Sequence, residues 1–245
     1  AEVAILANNK DPLSADEQKA FEKAVIRDAE PAYVEALSKL LEAGKSPRRI
    51  LDALQVASAQ VILETRGVNN FSLPQHCFEY LNTMAWHFDN FQHKQQLKLL
   101  YTATAYLNRA AWHQKGINDA EPNKPKAPAG ASKLSGSEIL DRLDQAAIAL
   151  DGKASVDWTQ AYIDNQKDRG PLIQRLALLS SRMGNDPHNQ EIGQVLLEDY
   201  AKNQGHNRDR LLLACAHHTA VHRKYGNPLD CANRFGAALG VARLQ

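Results

Sequence analysis

Apolar side chains recur at three- and four-residue spacing along most of the chain, while strictly alternating, β-branched runs are missing, so the pattern predicts helices and no strand. Ser14 followed by Glu17 makes a capping box that opens a helix over about 15–28. Pro31 suits the first turn of the next helix, which Gly44 ends. Ser46 and Pro47 repeat the device ahead of a helix that carries Ile50, Leu51, Leu54, Val61 and Ile62 near one face, runs to about Glu64 and is broken by Gly67. Ser72 and Pro74 open a fourth, to about Asn90, and a fifth runs from about Lys94 to Lys115 with Gly116 behind it. Ser135 and Glu138 form a second capping box. From there helices are predicted at about 137–150, 156–168, 171–183, 187–203, 207–225 and 228–244, with Pro171, Pro187 and Pro228 in first turns. The fold class is all-α, about ten to eleven antiparallel helices.

Residues 117–136 hold Pro122, Pro125, Pro128, Gly130 and Gly136 with few large apolar side chains, the composition of an exposed connection. This predicts a helical half over 1–116, a linker over 117–136 and a second half over 137–245, the halves forming one compact unit. They also read as a candidate two-fold repeat. Gly44, Pro47, Leu54, Ser58, Pro74, His76, Leu99, Leu100 and His113 before Gly116 are echoed in order by Gly170, Pro171, Leu178, Ser180, Pro187, His188, Leu212, Leu213 and His222 before Gly226. Any two helical hairpins with proline starts and glycine stops give a similar match.

Composition narrows the function. Lys and Arg number 29 against 28 Asp and Glu, which removes the basic excess of a nucleic-acid binder. At 44% hydrophobic and 23% charged residues the chain suits a soluble globular protein, and no run approaches the length of a membrane span. A start at Ala1 instead of Met is expected of a processed or trimmed chain, in cytoplasm or periplasm. Cys77, Cys215 and Cys231 are too few and scattered for a disulfide framework, and are expected as buried thiols. Serine-hydrolase, P-loop and zincin motifs are absent.

Nine histidines carry the remaining chemistry. Side chains three or four apart on a helix share a face, so two of them can grip one metal ion. In QHCFEY, His76 and Glu79 stand three apart with Tyr80 on the same side, the inverse of the E-x-x-H pair of di-metal bundles. In ACAHHTAVHRKYG, His218 and His222 stand four apart, with His217 directed elsewhere. His113 and His188, at helix ends, are expected in the layer of one of these pairs. His76, Glu79, His113, His188, His218 and His222 are therefore the candidate metal ligands, and Glu79 and Tyr80 the candidate catalytic groups. A histidine near a helix end also simply answers the C-terminal dipole, the reading favoured for His93, His206 and His217. His206, Asp209 and Glu198 form a third cluster near a turn. Imidazole with carboxylate favours iron, manganese or zinc, with haem a weaker option. Trp86, Trp112 and Trp158 are expected in core or groove, Tyr101, Tyr106 and Trp112 in a pocket wall or core, and Gly236 and Gly240 at a close helix contact.

The stretch SLPQHCFEYLNTMAWHFDNFQHKQQLKLLYTATAYLNRAAWHQKG, preceded by LLEAGKSPRRILDALQVASAQVIL, resembles a poorly characterised family of bacterial all-helical domains sometimes joined to a Rieske iron–sulfur module, and is similar to questin-oxidase-like proteins. PHNQEIGQVLLEDYA and LLLACAHHTAVH stand in matching order later in the chain. The resemblance implies a shared metal or redox site at His76, His113, His188 and one of His218 or His222. The C-x-H and C-x-x-H pairing of a Rieske cluster is absent here, so an electron donor would be a separate protein.

These readings give a candidate metal-dependent oxidoreductase with a His-rich site enclosed by helices, acting on an unknown small molecule, without nucleic acid, as a monomer or homodimer. The alternatives are a non-catalytic helical scaffold that binds a protein partner, and a haem-binding or sensor domain.

Overall fold

A computed structural model describes residues 2–67, 70–117, 124–183, 187–222 and 228–241. Among them are twelve α-helices, one 3-10 turn and no strand, with an isolated bridge between Asp11 and Lys45. The helices are α1 (Glu2–Asn8), α2 (Ala15–Arg27), α3 (Ala32–Glu42), α4 (Pro47–Glu64), α5 (Ser72–Asn90), α6 (Gln96–Ile117), α7 (Gly136–Ile148), α8 (Gly152–Asn165), α9 (Gly170–Met183), α10 (Pro187–Lys202), α11 (Arg210–Val221) and α12 (Pro228–Ala238). None is long and apolar enough to cross a membrane, among the described residues.

Both capping boxes are made: the Ser14 and Ser135 hydroxyls accept from the Glu17 and Glu138 amides, and each glutamate accepts back from its serine's N–H. Ser46 makes no such side-chain bond, and α5 starts behind Phe71, also without one. Gly44 ends α3 with φ +83°, where the Gly44 and Lys45 amides close onto Leu41 and Leu40 carbonyls in a Schellman motif. Two boundaries differ from the sequence reading. The Asp151 carboxylate accepts from the Ala154 amide at 2.9 Å and starts α8 at Gly152 instead of 156. The last helix stops at Ala238, because Gly240 turns left-handed (φ +69°) and Val241 N–H closes onto Gly236 O at 2.8 Å. Gly240 therefore ends a helix and marks no close contact: a Cβ there would meet nothing within 4 Å.

The described residues of Ala1–Arg66, Asn70–Asn123 and Val195–Ala214 form one compact unit, and those of Gly67–Asn69, Lys124–Gln194 and Cys215–Gln245 another. In unit 1, α4 is the central helix, packing on α2, α5 and α6, and Ile50, Leu51, Leu54, Val61 and Ile62 are all buried as its pattern predicts. Asp52, Gln55 and Ser58 are buried on the same helix, so each needs a partner to offset desolvation. Arg48 and Arg49 pair with Asp52 at 2.5 and 2.6 Å, and Gln204 N–H donates to it at 3.1 Å. The Asn203 amide donates to Asp52 O and Gln55 Oε1, both at 3.0 Å. Cys77, wholly buried beside the Ser58 hydroxyl, has its thiol pushed up to about 12 by burial. Trp86 and Trp112 are about half exposed, which removes both from the core.

In unit 2, α7 packs on α8 and α9. Arg175 on α9 pairs with Asp144 and with Asp141 on α7. Within the predicted linker, residues 124–136 carry a 3-10 turn at Ala131–Lys133; Ala131 is buried and accepts from the Asn165 amide at 2.8 Å. Residues 118–123 lie outside the described ones. Two glycines allow close helix approach here. A Cβ on Gly193 of α10 would sit 2.6 Å from Ser180 Cβ of α9, and one on Gly152 of α8 would overlap Val221 Cγ2 of α11.

Candidate functional site

The histidines of unit 2 lie on α10 and α11. His218 and His222 are one turn apart, and the His222 amide still donates to His218 O at 2.9 Å, so the residue after α11 keeps helical register. Their rings stack with centroids 4.9 Å apart at 18°. His217, His218 and His222 are 4%, 0% and 3% exposed. His217, expected to be directed away from that pair, is buried too, beside α8. Gly152 lets α8 come so close that a Cβ there would stand 3.1 Å from His217 Nδ1.

Burial holds the His218 pKa well below its ordinary value, and His222, His217 and His188, in that order, add charge repulsion to the same effect. His218 is therefore neutral at physiological pH, the form in which imidazole keeps a bare nitrogen for a metal or a proton. His188 stands near Glu191, with Nδ1 3.6 Å from its carboxylate. This H-x-x-E pair in α10 matches the spacing of His76 and Glu79 in α5, and only the second figured in the sequence reading. Cys215, three residues before His218, is wholly buried with its thiol pushed up to about 12 by burial, against the effect of Thr219 beside it. It is a neutral thiol at pH 7. Its counterpart Cys231 lies in α12, and its side chain is outside the described set.

Stacked nearly parallel, the His218 and His222 rings do not aim at a common point. Among the described residues of unit 2, no three His, Cys, Asp or Glu side chains bring ligand atoms within 4.8 Å of one another. Rotation of a ring about its Cβ–Cγ bond is the movement that would converge the pair.

Unit 1 holds the other predicted site residues. His76 Nδ1 is 2.9 Å from Glu79 Oε2 on α5, an i,i+3 pair in which the His76 side chain is 48% exposed and that of Glu79 20%, with Glu79 Oε1 buried. Tyr80 follows, its hydroxyl pKa raised by burial, and its ring lies 5.9 Å from Tyr106. His113 is exposed on α6. Tyr101 exchanges a hydrogen bond with Ser38 at 2.8 Å. His93 Nδ1 accepts from the Gln95 amide at 3.2 Å just ahead of α6, a contact to a backbone N–H instead of to a helix C-terminus. His206 ties loops together through Leu13 O (3.1 Å) and the Gln18 side chain (2.8 Å). The cluster predicted around His206 does not form as drawn, since Asp209 takes the Tyr200 hydroxyl and Glu198 takes Lys202.

Sequence reading missed Asp199. It is 1% exposed, and burial pushes its carboxyl up to about 7, against the lowering effect of the Asn82 amide, which donates to Oδ1 at 2.8 Å. A signal existed: Val195, Leu196, Asp199, Tyr200 and Asn203 make one 3.6-period stripe, and all five are buried. No protein family, curated protein or solved structure matches this chain.

Proposed function

We propose that this chain is a metal-dependent helical oxidoreductase whose ion is held by His218 of α11 and His222 just after it, with His188 of α10 as the further imidazole. The observation that carries this reading is the sealing of His217, His218 and His222 inside one unit, with His218 held neutral by burial. Burying several imidazoles costs solvation that a hydrophobic residue would not, and a bound ion would offset part of that cost. Imidazole suits iron, manganese and zinc alike. A bound redox ion would supply the electron chemistry, while the buried Cys215 and Ala216 that precede the histidines on α11 help exclude water. The same class is what the sequence resemblance to questin-oxidase-like helical proteins would imply, with the electron donor a separate protein.

The test is elemental analysis and visible spectroscopy of the purified chain, followed by titration of the stripped protein with Co²⁺. Stoichiometric metal and a Co²⁺ ligand-field spectrum are expected. His218→Ala and His222→Ala should each lower affinity about ten- to a hundredfold. A Soret band would favour the haem reading. Absence of stoichiometric metal, with both variants behaving like the parent, would leave the scaffold.

A further inference from the structure

Unit 1 carries a cavity of about 540 Å³ between α1, the start of α4 and the connection from α5 to α6. That size is in the range of small-molecule sites. Its walls divide by chemistry. Leu6, Pro47, Phe88 and Phe91 make the apolar part. Phe91 is more than half exposed and is edge-packed by Trp86 at 5.2 Å, so a flat aromatic surface stands at the cavity without core packing to explain it. Lys10, Arg48, His93 and Lys94 make the charged part, and among the described residues no Asp or Glu lines the space.

The lining groups are not equally available. Arg48 spends its guanidinium on Asp89 (2.7 and 3.2 Å) and Asp52 (2.5 Å). The Asn9 amide is committed to the Leu41 and Lys45 carbonyls, and that of Gln96 to His87 and Phe91 carbonyls. Lys10 and Lys94 are left: among the described residues neither is paired with a carboxylate, and Lys10 has only the Leu6 carbonyl at 3.4 Å. His93 has its Nδ1 occupied by the Gln95 amide, which leaves Nε2–H as a further donor. What remains for a ligand is two ammonium groups, one imidazole N–H and an aromatic wall.

We propose that this cavity binds a small aromatic carboxylate, its acid group held by Lys10, Lys94 and His93 and its ring laid against Phe88 and Phe91. The site is separate from the histidines of unit 2, and its failure would leave that reading intact.

Calorimetric titration of the full chain with 1-naphthoate, 1-naphthylmethanol and 1-naphthylmethylammonium tests it. The acid should bind, the alcohol about tenfold more weakly, and the ammonium compound without measurable heat. Lys10→Gln and Lys94→Gln should each weaken naphthoate about threefold and together about tenfold, with Lys94→Arg restoring most of the loss. Phe91→Ala should weaken acid and alcohol equally. All three positions are at the surface, so unchanged circular dichroism is expected. No binding of the acid at about 1 mM, equal binding of all three probes, or naphthoate affinity indifferent to the double lysine variant would each overturn the assignment.

Discussion

The two units bury titratable groups of opposite kind. Unit 1 encloses carboxylates, Asp52 and Asp199, while unit 2 encloses imidazoles, His217, His218 and His222. Asp52 keeps its charge balanced by two arginines, but Asp199 has one amide donor and its Oδ2 has no hydrogen-bond partner among the described residues. Burial therefore favours the neutral form on both sides: a protonated acid in unit 1 and a deprotonated base in unit 2. The same physical cost drives stability in opposite directions along the pH axis. For Asp199 the folded pKa lies above the unfolded one, so the folded state binds the extra proton and stability falls as pH rises from about 4 to about 7. For His218 the folded pKa lies below 6.5, so the unfolded state binds the extra proton and stability falls as pH drops below about 6.5. Between about pH 4 and 6.5 the two slopes oppose each other.

Removing one member of this balance exposes the other. The largest effect is expected for Asp199→Asn, which keeps the shape and accepts from Asn82: urea unfolding from pH 4 to 8 should lose the Asp199 slope, about 4 kcal/mol over the range. A variant that retains the parent's decline would show that Asp199 is ionised in the fold. Next comes Gly152→Ala, whose added methyl overlaps Val221 and crowds His217. It should cost about 2 kcal/mol in unit 2, read as earlier loss of hydrogen-exchange protection in α8 than in α4; equal loss in both would dissociate the glycine from unit 2. In metal-free protein, His218→Gln should abolish an acid-side slope of about 1.4 kcal/mol per pH unit below 6.5. Persistence of that slope would place the titrating base elsewhere. The smallest change is expected for Leu150→Gly. Leu150 holds the left-handed position after α7 (φ +60°) that glycine occupies after α3, and relief of that strain should stabilise the protein by about 1 kcal/mol. A loss of stability would mean that the partly exposed leucine packs more than it strains.

How much of this was written in the chain depends on how local the cause is. Capping boxes at Ser14 and Ser135 and the glycine stop at Gly44 involve residues within one turn, and they are where the sequence places them. The seven-residue α1 has no cap signal to announce it. The Asp151 cap and the Gly240 stop were present as residue types but were overrun by an extended periodic pattern. In the candidate site, spacing alone put His218 and His222 on one face. It gave the same standing to His76 and Glu79, of which His76 is half exposed and Glu79 mostly buried. Spacing identifies a face; the helix that covers it decides whether the face is buried. For His217 that cover is α8, admitted by a glycine 65 positions earlier in the chain, and no local pattern encodes it. Leu54 and Leu178, matched in the predicted repeat, make the same point: the first is buried and the second exposed.

Unit 1 is assembled from separated stretches of chain, and its closing stretch arrives late. Gln18 donates to His206 O across 188 positions, Arg210 reaches Glu22, and Asn203 completes the polar set of α4. During synthesis the first six helices therefore wait, with Asp52 and Gln55 short of partners, until residue 214 has left the ribosome. Such distant closure slows folding, and a fragment cut after α6 would present that unfinished surface to chaperones and proteases.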